Sequence, residues 1–105
     1  MTFKLETNNG IMEIRLFGEM DHHSAKTARE EIDAAITFEN PMILRLDLSQ
    51  INFCDSSGLG FIMGRYRRMQ SIGGSLTLVN PSGPAQKILK LAGLDRLIRT
   101  EINKE

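Results

Sequence analysis

The sequence predicts an α/β fold, a mixed β-sheet of about four to five strands covered by about three to four helices. Three observations predict it. Asn8-Asn9-Gly10 separates two apolar-alternating runs, which is a hairpin signature. After the hairpin, stretches of helical period alternate with stretches of strand period. Proline and glycine fall at the joins, at Pro41, Gly73-Gly74, Pro81 and Gly93. A hairpin followed by helix–strand units gives one antiparallel pair extended by parallel strands, with right-handed crossovers expected.

The first strand begins around Phe3 and Leu5. In the second, Ile11 to Phe17, Met12, Ile14 and Leu16 share one face, and Glu13 and Arg15 take the other. Residues 24–37 place Ala25, Ala28, Ile32, Ala35 and Ile36 on one helical stripe, with Lys26, Arg29, Glu30 and Asp33 outside it. Asp21 or Ser24 is expected to cap that helix. Pro41 then breaks the chain before a strand at Met42 to Leu48, whose even positions are all apolar. Leu59, Ile62, Met63, Tyr66 and Met69 define a second amphipathic helix that Gly73-Gly74 ends. Ser75 to Val79 is a further strand, and Asn80 to Pro84 a loop. Residues 85–92 form a short helix stopped by Gly93. Leu97 to Ile102 reads as an edge strand before a charged tail.

At 105 residues the chain is expected to form one domain, spanning 1–105, that folds without disulfides or metal. Thirteen basic and thirteen acidic residues cancel, which argues against direct nucleic-acid binding. No apolar run approaches the ~20 residues that span a bilayer, and Met1-Thr2-Phe3-Lys4 lacks a signal-peptide core. The single cysteine, Cys54, cannot form an intrachain disulfide and reads as a small buried hydrophobe. A monomer in a reducing cytoplasm, with no membrane contact and no cofactor, is the expectation.

Asp55-Ser56-Ser57-Gly58-Leu59-Gly60 stands between an apolar strand and the strongest helical period of the chain. Hydroxyls placed there lie beside unpaired backbone N–H groups and the positive end of a helix dipole, where phosphate is favoured. An enzyme's site, a ligand cradle and a regulatory switch all fit that placement.

Residue patterns narrow these. A nucleophile elbow needs Gly-x-Ser-x-Gly, yet Asp55 stands two before Ser57 and Cys54 two before Ser56. The adjacent His22 and His23 are poor candidates for a base and complete no metal set. Gly58-x-Gly60-x-x-x-Gly64 has the wrong spacing for a dinucleotide fingerprint, and Gly64 is followed by Arg65-Tyr66 where a Walker loop needs Lys-Ser/Thr. Close packing of the helix on a neighbour is the better explanation of Gly60 and Gly64. Arg65, Arg67 and Arg68 read as a solvated basic run. What remains is a phosphorylated serine, which changes charge without requiring a change of shape, against a plain capping role for Ser56 and Ser57.

Phe53-Cys54-Asp55-Ser56-Ser57-Gly58-Leu59-Gly60, followed by Met63-Gly64-Arg65-Tyr66 and Gly73-Gly74, closely resembles the anti-sigma factor antagonists of the STAS domain family. Leu16-Phe17-Gly18-Glu19-Met20-Asp21-His22-His23 and Leu91-Ala92-Gly93-Leu94 extend the resemblance from about Phe3 to Glu101, and the Gly-Glu-Met-Asp-His-His and Gly-Arg-Tyr segments point to its sporulation branch. The resemblance implies a single STAS domain that is not an enzyme. Unphosphorylated, it would bind an anti-sigma factor that is also a serine kinase and so free the sigma factor for transcription. Phosphorylation from ATP would break that complex, and a phosphatase would restore it. The family's phosphorylated serine matches Ser57, its acidic partners match Asp21 and Asp55, and Ser56 and Gly58 complete the partner-binding loop. Two carboxylates at neighbouring strand exits are expected beside the Ser57 hydroxyl, to repel an acidic partner once phosphate is present. The alternative is a STAS domain sensing a nucleotide or another small ligand at the same loop. Two departures stand out: Cys54 replaces a larger apolar residue, which implies looser packing under the loop, and the family's usual final helix is not matched.

Overall fold

The computed structural model describes residues 1–103, so Lys104 and Glu105 of the charged tail lie outside the described residues. In chain order the elements are β1 (Thr2–Asn8), β2 (Ile11–Met20), α1 (His22–Glu39), β3 (Ile43–Cys54), α2 (Ser56–Ser71), β4 (Ser75–Val79), α3 (Gly83–Ala92), α4 (Leu94–Leu97) and β5 (Arg99–Glu101). They build one five-stranded sheet in the order β1-β2-β3-β4-β5. Only β1 and β2 run antiparallel. Their hairpin turns at Asn9 and Gly10, both at positive φ (52° and 79°), the combination for which Asn-Gly is suited.

Strand alternation sorts the two faces of this sheet. Met12, Leu44 and Leu76 stand in register, as do Ile14, Leu46 and Leu78, and all six are buried. Against this apolar face pack Ala25, Ala28, Ile32 and Ile36 of α1, Phe61, Ile62 and Met69 of α2, and Ala85 and Leu89 of α3. The opposite face carries charge. Glu13 and Asp47 sit beside Arg45 and Arg15, with Arg45 Nη1 donating to Glu101 Oε2 at 2.8 Å. Helices therefore cover one face of the sheet, and ion pairs line the other.

Most expected elements form where the periodicity put them, and the departures have local causes. β2 and β3 run on past Phe17 and Leu48, because two one-residue slips let their pairing continue where alternation fails. α1 starts at His22, since Asp21 is its cap, and α3 starts at Gly83 because Ser82 Oγ accepts the Ala85 N–H at 3.3 Å. The last strand is shorter than Leu97 to Ile102. After Gly93 at φ 73° the chain makes one more helical turn, closed by Ile98 N–H on the Leu94 carbonyl, and only Arg99–Glu101 pair with β4.

The buried side of α2 is also rotated from the expected stripe. Its fully buried residues are Gly58, Phe61, Ile62, Arg65 and Met69, while Leu59, Met63 and Tyr66 are only partly covered. Arg65 is thus not part of a solvated run: its side chain is 5% exposed and faces α1. There Arg65 Nη2 donates to Asp33 Oδ2 at 3.1 Å, and Nε lies 2.8 Å from Oδ1. The guanidinium also sits 5.1 Å from the Phe61 ring centre and donates to the Phe61 carbonyl. Burial lowers its pKa, and the Asp33 charge opposes that shift. One turn on, Arg68 Nη2 donates to Thr37 Oγ1, so two contacts tie the helices together.

Removing one partner strands the other charge, whereas removing both does not. Asp33→Ala should therefore cost about 2–3 kcal/mol in urea denaturation, discounted from a fully buried pair because the carboxylate is partly wet. The apolar pair Asp33→Leu with Arg65→Met should cost less than Asp33→Ala alone.

Candidate functional site

The site lies where β2 and β3 end side by side. Met20 and Cys54 are register partners at the last position of each strand. The next residues are Asp21 and Asp55, both in extended backbone and both helix N-caps. Two helix starts and two carboxylates thus emerge together at one edge of the sheet.

Asp21 makes a capping box. Its Oδ1 accepts the Ser24 N–H at 2.8 Å, and the Asp21 N–H reaches back to Ser24 Oγ at 3.5 Å. Of the two expected caps, Asp21 takes the role and Ser24 serves it from the third helical position. These bonds favour the ionised carboxylate, so the Asp21 pKa is lowered, first by the Ser24 backbone bond and then by its hydroxyl.

Asp55 Oδ1 accepts the Ser57 N–H at 2.8 Å, and its carbonyl accepts the Gly58 N–H at 2.9 Å. Asp55 therefore does the capping that Ser56 and Ser57 were candidates for. Neither serine hydroxyl makes a hydrogen bond among the described residues, with Ser56 exposed and Ser57 half-buried. Asp21 is brought to the same edge as Ser57, although no hydrogen bond joins them among the described residues.

Gly58 rests on the strand ends. A Cβ there would lie 2.6 Å from Cys54 Sγ and 3.0 Å from Met20 Cγ and Sδ. Packing under the loop is tight, in contrast to the looseness inferred from the small Cys54. At Gly60 and Gly64 a Cβ would meet nothing within 4 Å, so these two do not mediate close helix packing. The close glycines are Gly58 and Gly74, the latter 2.6 Å from the Met42 carbonyl oxygen at its Cβ position. Cys54 is buried as expected, and desolvation, then the Asp55 charge, pushes its thiol pKa up to about 11.

Sequence reasoning missed the Arg65–Asp33 tie behind this edge. The spacing 58, 61, 62, 65, 69 contained it, with an arginine on an otherwise apolar face. A concavity of about 280 Å³ lies on the charged sheet face, lined by residues such as Lys4, Glu13 and Arg45 and by none of the loop. Among the described residues no helix is long and apolar enough to cross a membrane, and no cluster of three or more metal-ligating side chains occurs.

A five-stranded mixed sheet with a serine-bearing helix start at its edge defines the class, and comparison agrees. The chain belongs to the STAS domain family, whose model matches residues 2–105. Within that family it is similar to anti-sigma factor antagonists. It is 38% identical over 95 residues to the anti-sigma F factor antagonist of Lysinibacillus sphaericus, covering 90% of this chain and 81% of that one. It is 33% identical over 98 residues to the anti-sigma F factor antagonist of Paenibacillus polymyxa (93% and 84% covered). The anti-sigma-B factor antagonist of Bacillus subtilis is 29% identical over 101 residues (96% and 91%). Among solved structures, the anti-sigma factor antagonist SpoIIAA in its unphosphorylated form superposes with a TM-score of 0.84 at 32% identity, covering 99% of this chain and 90% of that one.

Two substitutions test the geometry of the edge. Asp55→Ala should destabilise the fold by about 1 kcal/mol through loss of the cap, read by thermal or chemical denaturation. Asp21→Asn should flatten the acid limb of stability. Because the folded Asp21 pKa lies below the ordinary 3.8, its contribution is present above that value and lost as pH falls through the lower folded one.

Proposed function

We propose that this protein is an anti-sigma factor antagonist of the sporulation type, switched by phosphorylation of Ser57. In its unphosphorylated form it binds an anti-sigma factor that is also a serine kinase, and the sigma factor is released for transcription. The kinase transfers phosphate from ATP to Ser57, the complex breaks, and a phosphoserine phosphatase resets the cycle. The protein acts as partner and substrate rather than enzyme, as a cytoplasmic monomer without direct nucleic-acid contact. Asp21, Asp55, Ser56, Ser57 and Gly58 form the contact surface.

One observation carries this reading. Asp55 caps α2 through the Ser57 N–H, and the Ser57 hydroxyl makes no hydrogen bond among the described residues, so it is free to be modified. The chain's similarity to anti-sigma F factor antagonists supplies the kind of partner. A Bacillus relative, SpoIIAA, has been solved in a phosphorylated form, which supports a fold able to carry the group.

Charge explains how such a switch would act. Phosphate adds about −1.5 to −2 charges and three acceptor oxygens at a helix start. The dipole there favours the anion by about 0.3–1 kcal/mol, so the fold tolerates it. Asp21 and Asp55 are already anionic at that edge, and the added charge drives away an acidic or tightly packed partner surface.

Incubation with the cognate kinase and ATP should add a single phosphate, located at Ser57 by tandem mass spectrometry. Ser57→Ala should bind the anti-sigma factor equally well with and without ATP, while Ser57→Asp should bind at least tenfold more weakly. Phosphate elsewhere, or equal affinities for the two variants, would contradict the switch.

A further inference from the structure

We propose that Met20 and Cys54 are positioning residues for Ser57: their two sulfurs form a seat on which Gly58 rests, and that seat sets the height of the first turn of α2. The inference rests on Ser57 being the phosphoacceptor, as proposed above.

Three features of the structure converge on it. Met20 and Cys54 are paired at the ends of β2 and β3, both buried, with Cys54 Sγ 4.0 Å from Met20 Sδ and 3.7 Å from the Asp55 carbonyl oxygen, two acceptors its single S–H can face. The Gly58 Cβ position lies inside ordinary contact distance of both side chains, so nothing larger than hydrogen fits there without the sulfurs or the turn giving way. The turn itself is closed by hydrogen bonds. Ser57 N–H is held by Asp55 Oδ1 and Gly58 N–H by the Asp55 carbonyl, so a shift at Gly58 passes directly to Ser57. At Gly60, farther along the same helix, a Cβ would meet nothing within 4 Å, so that glycine marks no comparable close approach.

The Cys54 thiol is protonated at neutral pH, and burial moves it further from ionising, so it serves as a support rather than a nucleophile. Phosphoryl transfer demands that the accepting oxygen sit in line with the donor, and a misplacement of about 1 Å can cost about a hundredfold. A seat that fixes Ser57 relative to Asp21 and Asp55 therefore bears on rate and on which of the two serines is modified.

Steady-state phosphorylation by the cognate anti-sigma factor kinase with ATP, together with hydrogen exchange of the Ser57 amide, tests the seat. Gly58→Ala should lower kcat about tenfold, speed Ser57 exchange and shift some phosphate to Ser56. Adding Cys54→Ala to it should restore most of kcat, exchange protection and Ser57 selectivity. Cys54→Ala alone, which hollows the seat without crowding it, should speed Ser57 exchange and lower kcat modestly. A folded Gly58→Ala protein with wild-type kcat and exchange would overturn the inference, as would a double variant no better than Gly58→Ala. Should Gly58→Ala not fold, unchanged exchange in Cys54→Ala would overturn it equally. If the kinase leaves the wild-type protein unmodified, the phosphoacceptor reading fails, and amide exchange in the three variants alone decides the seat.

Discussion

The parallel pairing of β2 with β3, carried through to Met20 and Cys54, is the constraint on which the functional edge depends. Two one-residue slips are needed to bring these residues opposite each other. Without them the strands would end out of step, and the helix starts at Asp21 and Asp55 would not lie side by side. Each slip costs regular ladder bonds and adds local twist. What the chain gains is a shared edge that carries two cap carboxylates and two serines whose hydroxyls make no hydrogen bond among the described residues.

Behind that edge the helices are held by more than apolar area. The small residues Ala25 and Ala28 of α1 let it lie close to the sheet, and the Asp33–Arg65 pair then joins it to α2. A buried ion pair adds little net stability, because desolvation offsets most of the attraction. Its one hydrogen bond, from Arg65 Nη2 to Asp33 Oδ2, is directional, however, and together with the close approach of Nε to Oδ1 it favours one sliding register between the helices. Both helices begin at the functional edge, so the same register fixes how their N-termini face one another.

Much of this was legible in the sequence, because the signals were periodic. Strand alternation at Met12, Ile14 and Leu16, the exact span Ser75 to Val79 and the stop at Gly93 all follow from patterns that local geometry enforces. What was not legible depended on neighbours distant in sequence. The slips that lengthen β2 and β3 break the alternation that would have announced them. Arg65 looked solvated because its partner Asp33 lies 32 residues away. Glycine counts pointed to Gly60 and Gly64, yet only the packing of Cys54 and Met20 shows that Gly58 is the one without room. The serines of the loop were visible from their place between a strand and a helical period, but their freedom was not, since it follows from Asp55 taking the cap.

That freedom also decides where the energy of a phosphate would be felt. Within the fold, the group meets a helix dipole worth about 0.3–1 kcal/mol in its favour and neighbouring carboxylates that oppose it, terms that partly cancel. Across an interface with an acidic partner surface there would be no such cancellation. Two unit charges about 4 Å apart interact by about 4 kcal/mol at the effective dielectric of a protein surface, and phosphate brings nearly two. A docked partner would also exclude the water that otherwise screens the charge. In the proposed switch the same modification would therefore be nearly neutral for the free domain and unfavourable in a complex whose partner surface is acidic. A switch at this edge needs no moving part: it needs a serine held still, at a place where only the partner suffers the charge.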